Sequence, residues 1–249
     1  MDPRIAYKCS RTKLKNGELE CWYETKHEEK HGDYEVFNRE GKCILLLQYV
    51  RGKLHGDAIA WNANGAKRRH SHYVDNKEHG TAETWNDAGV LIRLGHWCRG
   101  NEDGTFEEWN DDGTVLVKRT HWVDGKAHGA HETWSATGVR TKLTQWVNGQ
   151  QQGASCVWND AGVLISRWHF VDDKVNGTTE SWHDNGVRAS LGYYVDDKPH
   201  GTTQYWNSEG VLTDTMRFEK GVLQEASRKM GSKSLSCAAP TAPSREKNE

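Results

Sequence analysis

The chain of 249 residues carries a formal net charge of −2, because 33 basic side chains nearly balance 35 acidic ones. This balance argues against a nucleic-acid-binding protein and against a protein held on an anionic membrane by charge alone. Hydrophobic residues make up 35% of the chain and the mean hydropathy is −0.89, which predicts a thin, largely solvated architecture rather than a deep core.

Targeting signals and cysteines narrow the class further. The N-terminus has no basic start followed by an apolar run, and the longest apolar run, Cys43 to Leu47, is far shorter than the roughly 20 residues of a transmembrane helix. We therefore expect an intracellular, cytoplasmic protein, at most peripheral to a membrane or part of a larger assembly. The six cysteines form no C-x-x-C pair, so free thiols are expected rather than disulfides or a zinc site.

Residues 1–30 contain one degenerate copy of a unit that recurs along the chain. Asn16-Gly17 resembles its turn, and Trp22-Tyr23 lies near the position of its aromatic residue. Terminal repeats are usually atypical because they close an open end. We interpret this segment as an N-terminal cap, with a frayed arm as the alternative.

Residues 31–221 hold eight copies of a unit of 24 residues, with one copy of 25. A first glycine recurs at Gly32, Gly56, Gly80, Gly104, Gly129, Gly153, Gly177 and Gly201. A second glycine recurs at Gly41, Gly65, Gly89, Gly113, Gly138, Gly162, Gly186 and Gly210. Five residues after each first glycine stands one aromatic residue, and eight or nine after each second glycine stands another. A fixed period of this kind is typical of repeat architectures.

Each unit is predicted to form two short strands and two turns. The second turn, as in VDGK or VDDK, carries only Gly, Asn or Asp at its third position, as a two-residue type I′ hairpin requires. The first turn, as in WNDAGV, is an Asx-rich connection that ends in glycine. The predicted fold is all-β: a single-layer, elongated antiparallel meander of β-hairpins, built from about eight 24-residue repeats.

The register decides which side chains share a face. If Val171 pairs with Lys174, and Trp182 pairs with Val187 across a four-residue loop, the repeats stack flush and the two aromatic rows lie on opposite faces. A three-residue first turn with a bulge would instead put both rows on one face, and this alternative stays open. The extra residue of the 25-residue copy lies between Gly113 and Trp122, where a β-bulge is expected to restore the ladder.

Residues 222–249 are rich in Ser, Ala, Pro and Lys, a composition that predicts a disordered, low-complexity tail.

The pattern W-x-x-G-x-x-x-G, as in WCRGNEDG (97–104), WVDGKAHG (122–129) and WVNGQQQG (146–153), resembles the MORN repeat. The wider layout of the unit, with an aromatic residue five positions after the first glycine and another after the second, looks more like the variant MORN repeat, which is often labelled an antitoxin component. The resemblance implies a meander of β-hairpins and roles in protein assembly, dimerisation or membrane-associated scaffolding. The usual Y-x-G opening and the central G-x-G are absent, so lipid binding carries over weakly, and no toxin-binding residue can be placed on this chain.

One candidate interaction site emerges from the residues that vary between copies. Four consecutive repeats carry a cation four residues before the second aromatic residue, and the flush register places both on one face as a basic and aromatic strip. The interaction strip comprises Arg69, Tyr73, Arg93, Trp97, Lys118, Trp122, Lys142 and Trp146. The alternative is a solvated face, because Glu83, Glu107 and Glu132 recur in the same repeats.

Histidines before the first glycine (His31, His55, His79, His128 and His200) recur about 10 Å apart in the predicted sheet. That spacing is too wide for shared metal ligands. No catalytic motif is recognisable, so we expect a non-enzymatic scaffold without cofactors that binds a protein partner or itself. A binding module for anionic lipid or glycan is the alternative, and no nucleic-acid partner is expected.

Overall fold

The structure, a computed structural model, describes residues 8–13, 17–25, 27–230 and 233–238. All regular elements in these ranges are β-strands, and strands within each unit pair antiparallel, for example Cys43–Val50 with Lys53–Trp61 and Gly177–Trp182 with Arg188–Val195. The predicted all-β hairpin meander is therefore confirmed. None of the described segments is a helix with the length and apolarity needed to cross a membrane.

The chain divides into two units, Met1–Gly129 with Ala136–Gly138, and Ala130–Ser135 with Val139–Glu249. The strands of the first unit are β1 (Lys8–Lys13), β2 (Leu19–Glu24), β3 (Lys30–Phe37), β4 (Cys43–Val50), β5 (Lys53–Trp61), β6 (Lys67–Val74), β7 (Lys77–Trp85), β8 (Leu91–Cys98), β9 (Asn101–Glu102), β10 (Gly104–Trp109), β11 (Leu116–Val123) and β12 (Lys126–Ala127). The remaining strands are β13 (Gly129–Trp134), β14 (Arg140–Val147), β15 (Gln150–Gln151), β16 (Gly153–Trp158), β17 (Leu164–Val171), β18 (Lys174–Val175), β19 (Gly177–Trp182), β20 (Arg188–Val195), β21 (Lys198–Pro199), β22 (Gly201–Trp206), β23 (Leu212–Glu219), β24 (Val222–Met230) and β25 (Lys233–Ala238).

The second turn of each repeat is the predicted two-residue hairpin. Val171 pairs with Lys174, and both residues between them have positive φ, 50° at Asp172 and 65° at Asp173, as a type I′ turn requires. The third-position N–H donates to a carbonyl of the preceding repeat, for example from Asn76 to Leu54 at 2.9 Å. This position therefore selects Gly, Asn or Asp for backbone conformation and joins neighbouring repeats.

The first glycine of each repeat lies in a bulge that the sequence did not reveal. Val171 pairs with Lys174, whereas Arg167 pairs with Glu180. A step of four residues on β17, from Val171 back to Arg167, therefore corresponds to a step of six residues on the returning chain, from Lys174 to Glu180. Gly177 lies in this interval with a φ of 119°. A Cβ at Gly177 would also approach Cβ of His169 to 3.3 Å, so both conformation and space favour glycine.

The predicted pairing of Trp182 with Val187 is wrong. His183 N–H donates to the Val187 carbonyl at 2.8 Å, which closes a three-residue loop, and Trp182 pairs with Arg188. The register then shifts by one further residue, because Ser181 pairs with Ser190. The three-residue turn that the sequence allowed as an alternative is thus present. Because the register shifts again between Trp182 and Ser181, the side chains of the paired strands alternate as they would with the predicted four-residue loop.

The two aromatic rows lie on opposite faces of the sheet, as predicted. Tyr194 lies opposite Gly177, and Trp182 is five residues beyond Gly177 on the same strand. An odd separation along a strand reverses the face. In each unit, we call the face of the second aromatic row the strip face (Tyr73 and Trp97 in the first unit, Tyr194 in the second). We call the face of the first aromatic row the tryptophan face (Trp85 in the first unit, Trp158 and Trp182 in the second).

The extra residue of the 25-residue repeat is accommodated in a turn rather than in a strand. Asn110 N–H donates to the Val115 carbonyl at 2.9 Å, so this loop is one residue longer than the equivalent loop from Asn86 to Val90. Thr114 is the added residue, and its N–H donates to Asp112 Oδ1 at 2.9 Å. The bulge predicted as a remedy for the insertion is not one, because the register shift beside Trp109 occurs equally beside Trp85.

Both ends of the repeat array extend the meander. At the N-terminal end β1 pairs with β2 and β2 with β3, so the described part of the predicted cap is a hairpin; Asn16 lies outside the described residues. At the other end β24 pairs with β23 and β25 with β24. The disordered tail predicted from Val222 is therefore corrected for Val222–Met230 and Lys233–Ala238, since the turn at Gly221 requires a returning strand. Residues 239–249 lie outside the description.

Few side chains are buried in this one-layer architecture. A row of small or polar residues lies along the middle of the strip face, and its fully or nearly fully buried members include Ser71, Ala82, Thr120, Thr144, Ser155, Thr179 and Thr203. The aromatic side chains of the same face cover this row, and they take the role that a second layer has in a sandwich.

Candidate interaction face

The strip residues lie where the repeat register places them. Arg69 and Tyr73 are on β6, and Arg93 and Trp97 are on β8. In each strand the cation and the aromatic residue are four positions apart and share the strip face. Lys118 and Trp122 on β11 repeat this arrangement in the first unit, and Lys142 and Trp146 on β14 repeat it in the second.

Within the first unit the strip cations are paired with carboxylates. Arg69 Nη2 lies 2.7 Å from Glu78 Oε1, while Arg93 Nε and Lys118 Nζ each lie 3.7 Å from Glu108 Oε1. These cations remain about half exposed, with side-chain exposures of 47%, 51% and 48%. The strip is therefore an array of exposed charge pairs beside aromatic rings, whose net field is weak.

The strip cation of the second unit, Lys142, has no such carboxylate partner among the described residues. Lys142 is exposed, and among the residues that the structure describes no carboxylate lies within ion-pair distance of it. Its strand neighbour Trp146 donates from Nε1 to Oγ1 of Thr144 at 2.9 Å. The hydrogen bond thereby fixes the indole beside a buried hydroxyl, and the Trp146 side chain is half-buried.

The carboxylates that the sequence suggested as neutralising partners belong to the other face. Glu107 accepts a hydrogen bond from Arg119 Nε at 2.8 Å, and Glu132 accepts one from Arg140 at 3.0 Å. Both contacts lie on the tryptophan face, where Arg140 also stacks over Trp158 at 4.7 Å. The carboxylates that lie beside the strip cations of the first unit are instead Glu78 and Glu108.

The tryptophan face also contains a buried carboxylate. Glu180 is 6% exposed and accepts hydrogen bonds from Arg167 and, at 3.1 Å, from Arg188. Arg167 in turn lies 5.9 Å from the ring centre of Trp182. Two cations satisfy the charge of this carboxylate, which is what a buried acidic group needs.

The histidines that directly precede the first glycine of a repeat do not form a row of metal ligands. His31 and His79 each lie with Nδ1 3.4 Å from a backbone N of the next turn, at Arg51 and Arg99. Among the described residues, no cluster of three or more His, Cys, Asp or Glu is arranged to hold a metal ion. The free thiols Cys43 and Cys156 have pKa values raised by burial, which lowers their reactivity.

Two other histidines form a polar cluster that the repeat pattern does not predict. His72 Nδ1 lies 3.2 Å from Asp57 Oδ1, and His70 lies 3.3 Å from both Asp57 and Glu83. The hydrogen bond with His72 is the main cause that lowers the pKa of Asp57. The alternation of His70 and His72 in the stretch RRHSHYV was the available signal, because alternate residues share a face.

A groove in the second unit was also missed. It has a volume of about 540 Å³ and is lined by Ala154, Arg167, Trp168, His169, Asn176, Gly177, Thr178 and Tyr193. The Asn176 carbonyl accepts from His169 Nδ1 at 2.9 Å, which fixes the orientation of the imidazole ring. Tyr193 is 45% exposed. The sequence feature that could have indicated this groove is Trp168, because neighbouring repeats have Ser, Gly or Thr at the same position.

Comparison with known proteins adds no relative. No protein-family model matches the chain, and no curated protein is significantly similar to it.

Proposed function

We propose that this chain is a non-enzymatic repeat scaffold of the MORN type that binds a protein partner, or a second copy of itself, through the strip face. The observation that carries the proposal is the pairing of strip cations with Glu78 and Glu108 beside half-buried aromatic rings. Aromatic residues and arginines are enriched at the centres of protein interfaces. Paired charges give such an interface orientation and specificity more than long-range attraction.

The same pairing weighs against an anionic lipid as the main ligand. Binding to anionic lipid headgroups depends on unneutralised basic groups close to the surface. Arg69, Arg93 and Lys118 each have a carboxylate within 4 Å. The lipid part of the alternative function is therefore the weaker part.

A glycan remains the second candidate ligand because of the groove beside Tyr193. Its volume is in the range of small-molecule sites. The exposed Tyr193 ring, together with Arg167 and the imidazole of His169, offers stacking and hydrogen bonds to a hydroxylated ligand. The groove is separate from the strip, so the two candidate functions can be tested independently.

The test replaces the four strip cations together, Arg69, Arg93, Lys118 and Lys142, with glutamine. The matched control replaces four lysines at hairpin turns, Lys53, Lys77, Lys126 and Lys174, and removes the same charge. Affinity purification with mass spectrometry should recover partners that the wild type and the control retain and the strip variant loses. Sedimentation of the purified chain reports self-association in the same three proteins.

Retention of every partner by the strip variant would contradict the proposal. Binding of anionic vesicles that the strip variant loses, without any lost protein partner, would favour the lipid alternative. Binding of an oligosaccharide that is lost on Tyr193→Ala substitution would favour the glycan alternative.

A further inference from the structure

Lys30, the first residue of β3, lies among three aromatic rings contributed by β2, β3 and β4. Lys30 Nζ lies 3.9 Å from the ring centre of Tyr34, 5.4 Å from Tyr49 and 5.8 Å from Trp22. All three distances fall within the range in which a ring face attracts a cation. We call Trp22, Tyr34 and Tyr49 the aromatic cage.

The rings of the cage are held in place by contacts of their own. Tyr34 donates from its hydroxyl to Glu20 at 2.7 Å, and Trp22 donates from Nε1 to Glu24 at 3.3 Å. Tyr34 and Tyr49 also meet edge to face, with ring centres 6.2 Å apart. Burial is the main cause that raises the pKa of both tyrosines, so their rings stay neutral. The cage is preorganised without help from Lys30.

Lys30 itself is weakly anchored. Within the described part of the chain, no carboxylate lies at ion-pair distance from its ammonium group, unlike Arg69 with Glu78. The equivalent residues of the next repeats are Leu54, Glu78 and Glu102, so the repeat does not require a lysine here. The ammonium group is held by the rings alone and can be replaced by a cation that the rings attract more strongly.

We propose that the aromatic cage is a binding site for a methylated lysine side chain of a partner, and that Lys30 occupies it in the free protein. The cage already accommodates a lysine stem and ammonium group, so a cation at the end of a lysine-like stem is the ligand that fits it. Methylation spreads the charge over a larger, poorly hydrated group, and such cations are the ones that aromatic cages prefer. The site lies on the strip face, because Tyr49 is the repeat equivalent of Tyr73. It includes none of the strip residues, so its test does not depend on the outcome of the strip variant.

The test uses the full chain with Lys30→Ala and titrates it with Nα-acetyl-trimethyllysine amide, followed by NMR of the tryptophan indole groups. Trp22 is assigned from a Trp22→Phe variant. We expect the Lys30→Ala protein to bind this probe about tenfold more tightly than the wild type, because the competing ammonium group is gone. The Lys30→Ala/Tyr34→Ala protein should lose binding, and the unmethylated lysine probe should bind about tenfold more weakly.

Lys67→Ala is the matched control, because Lys67 lies over the single ring of Trp85 at 5.0 Å. It removes the same side chain from one ring instead of three and should bind no more probe than the wild type. A neutral probe with a tert-butyl group in place of trimethylammonium separates charge from size.

Three results would overturn the proposal: no binding to a folded Lys30→Ala protein, equal binding of the neutral probe, or tighter binding of phosphocholine than of trimethyllysine. If Lys30→Ala unfolds the hairpin, titration of the wild type decides. Indole shifts of Trp22 on addition of the methylated probe, absent with the unmethylated probe, support the site, and their absence overturns it.

Discussion

Trp146 donates a hydrogen bond from its indole Nε1 to Oγ1 of Thr144, two residues earlier on the same strand, at 2.9 Å. The same bond joins Trp122 to Thr120. Residues i and i+2 share a face, so each indole lies over a threonine that is 5% or 7% exposed. Trp122 and Trp146 thus shield Thr120 and Thr144 and donate hydrogen bonds to their hydroxyl groups at the same time.

Thr144→Val tests the value of this bond. Valine keeps the shape of threonine but cannot accept the indole proton, so we expect the free energy of unfolding to fall by about 1 kcal/mol in urea denaturation. Thr202→Val is the control, because Thr202 is exposed and should change little. Equal effects at the two positions would mean that the indole bond contributes nothing.

The first glycines should differ in their tolerance of alanine. Gly56 has a φ of 116°, and a Cβ there would lie 2.9 Å from Cβ of Gln48, whereas Gly201 has a φ of 74° and no atom within 4 Å. We expect Gly201→Ala to cost about 1 kcal/mol for the left-handed conformation and Gly56→Ala to cost about 3 kcal/mol or more. Melting temperatures measure the difference. A larger loss at Gly201 would contradict the close approach at Gly56.

The tight turns offer a test in which backbone conformation and a hydrogen bond can be separated. Asn76 has a φ of 67°, and its Oδ1 accepts from the backbone N of Leu54 at 2.8 Å. Asn76→Gly removes only the acceptor, while Asn76→Ala also adds strain of about 1–2 kcal/mol. We expect alanine to lower the unfolding free energy more than glycine. The reverse order would show that the turn does not need a left-handed residue.

The insertion at Thr114 should be removable. Deletion of Thr114 restores a loop of the length seen from Asn86 to Val90, so the melting temperature should change by only a few degrees, which corresponds to about 0.5 kcal/mol or less. Deletion of Lys118 within β11 instead reverses the side-chain alternation of part of the strand. It should abolish cooperative unfolding, as followed by circular dichroism. If both deletions are equally harmful, the insertion does not lie in the loop.

The histidine cluster predicts a pKa that can be measured. The hydrogen bond from His72 is the main cause that lowers the pKa of Asp57, so the contact stabilises the fold above the ordinary Asp pKa of about 3.9. That stability is lost as the pH falls through the lowered value. Carboxyl NMR titration should show the pKa of Asp57 rising in His72→Gln, and rising less in His70→Gln. An unchanged value in His72→Gln would remove His72 as the cause.

The sequence predicted the meander because the turns carry their conformation in their residue types. Asp172 and Asp173 at a two-residue turn, and a glycine after each Asx-rich turn, fix where strands end. It failed at the bulges, because the extra residues at Gly177 and beside Trp182 leave the period unchanged. The register shift at Gly177 is offset by the shift at the next turn, so the period of 24 residues is preserved. Each strand also keeps its side-chain alternation, and the two aromatic rows therefore lie on the predicted faces although the predicted pairing of Trp182 with Val187 was wrong.

The interaction strip was partly predictable for the same reason. Positions four apart on β6, β8, β11 and β14 share a face whatever the details of the turns, so the cations and rings were placed correctly. Their partners were not, because Glu78 and Glu108 lie across neighbouring strands whose register depends on the bulges. The aromatic cage was not predicted from the sequence, because Trp22, Lys30 and Tyr49 belong to three different strands.

The hydrogen bonds at the hairpin tips have a consequence for how such a chain changes length. Asn76, Gly100, Asp197 and Gly221 each donate from their backbone N to the carbonyl of the residue 22 positions earlier, so the junction between neighbours is made by the same backbone atoms at each of these steps. A junction of backbone atoms does not depend on which side chains stand elsewhere in the unit. Duplication or loss of a complete 24-residue segment therefore recreates a junction that already exists, and the gene can grow or shrink in whole units while the variable positions diverge.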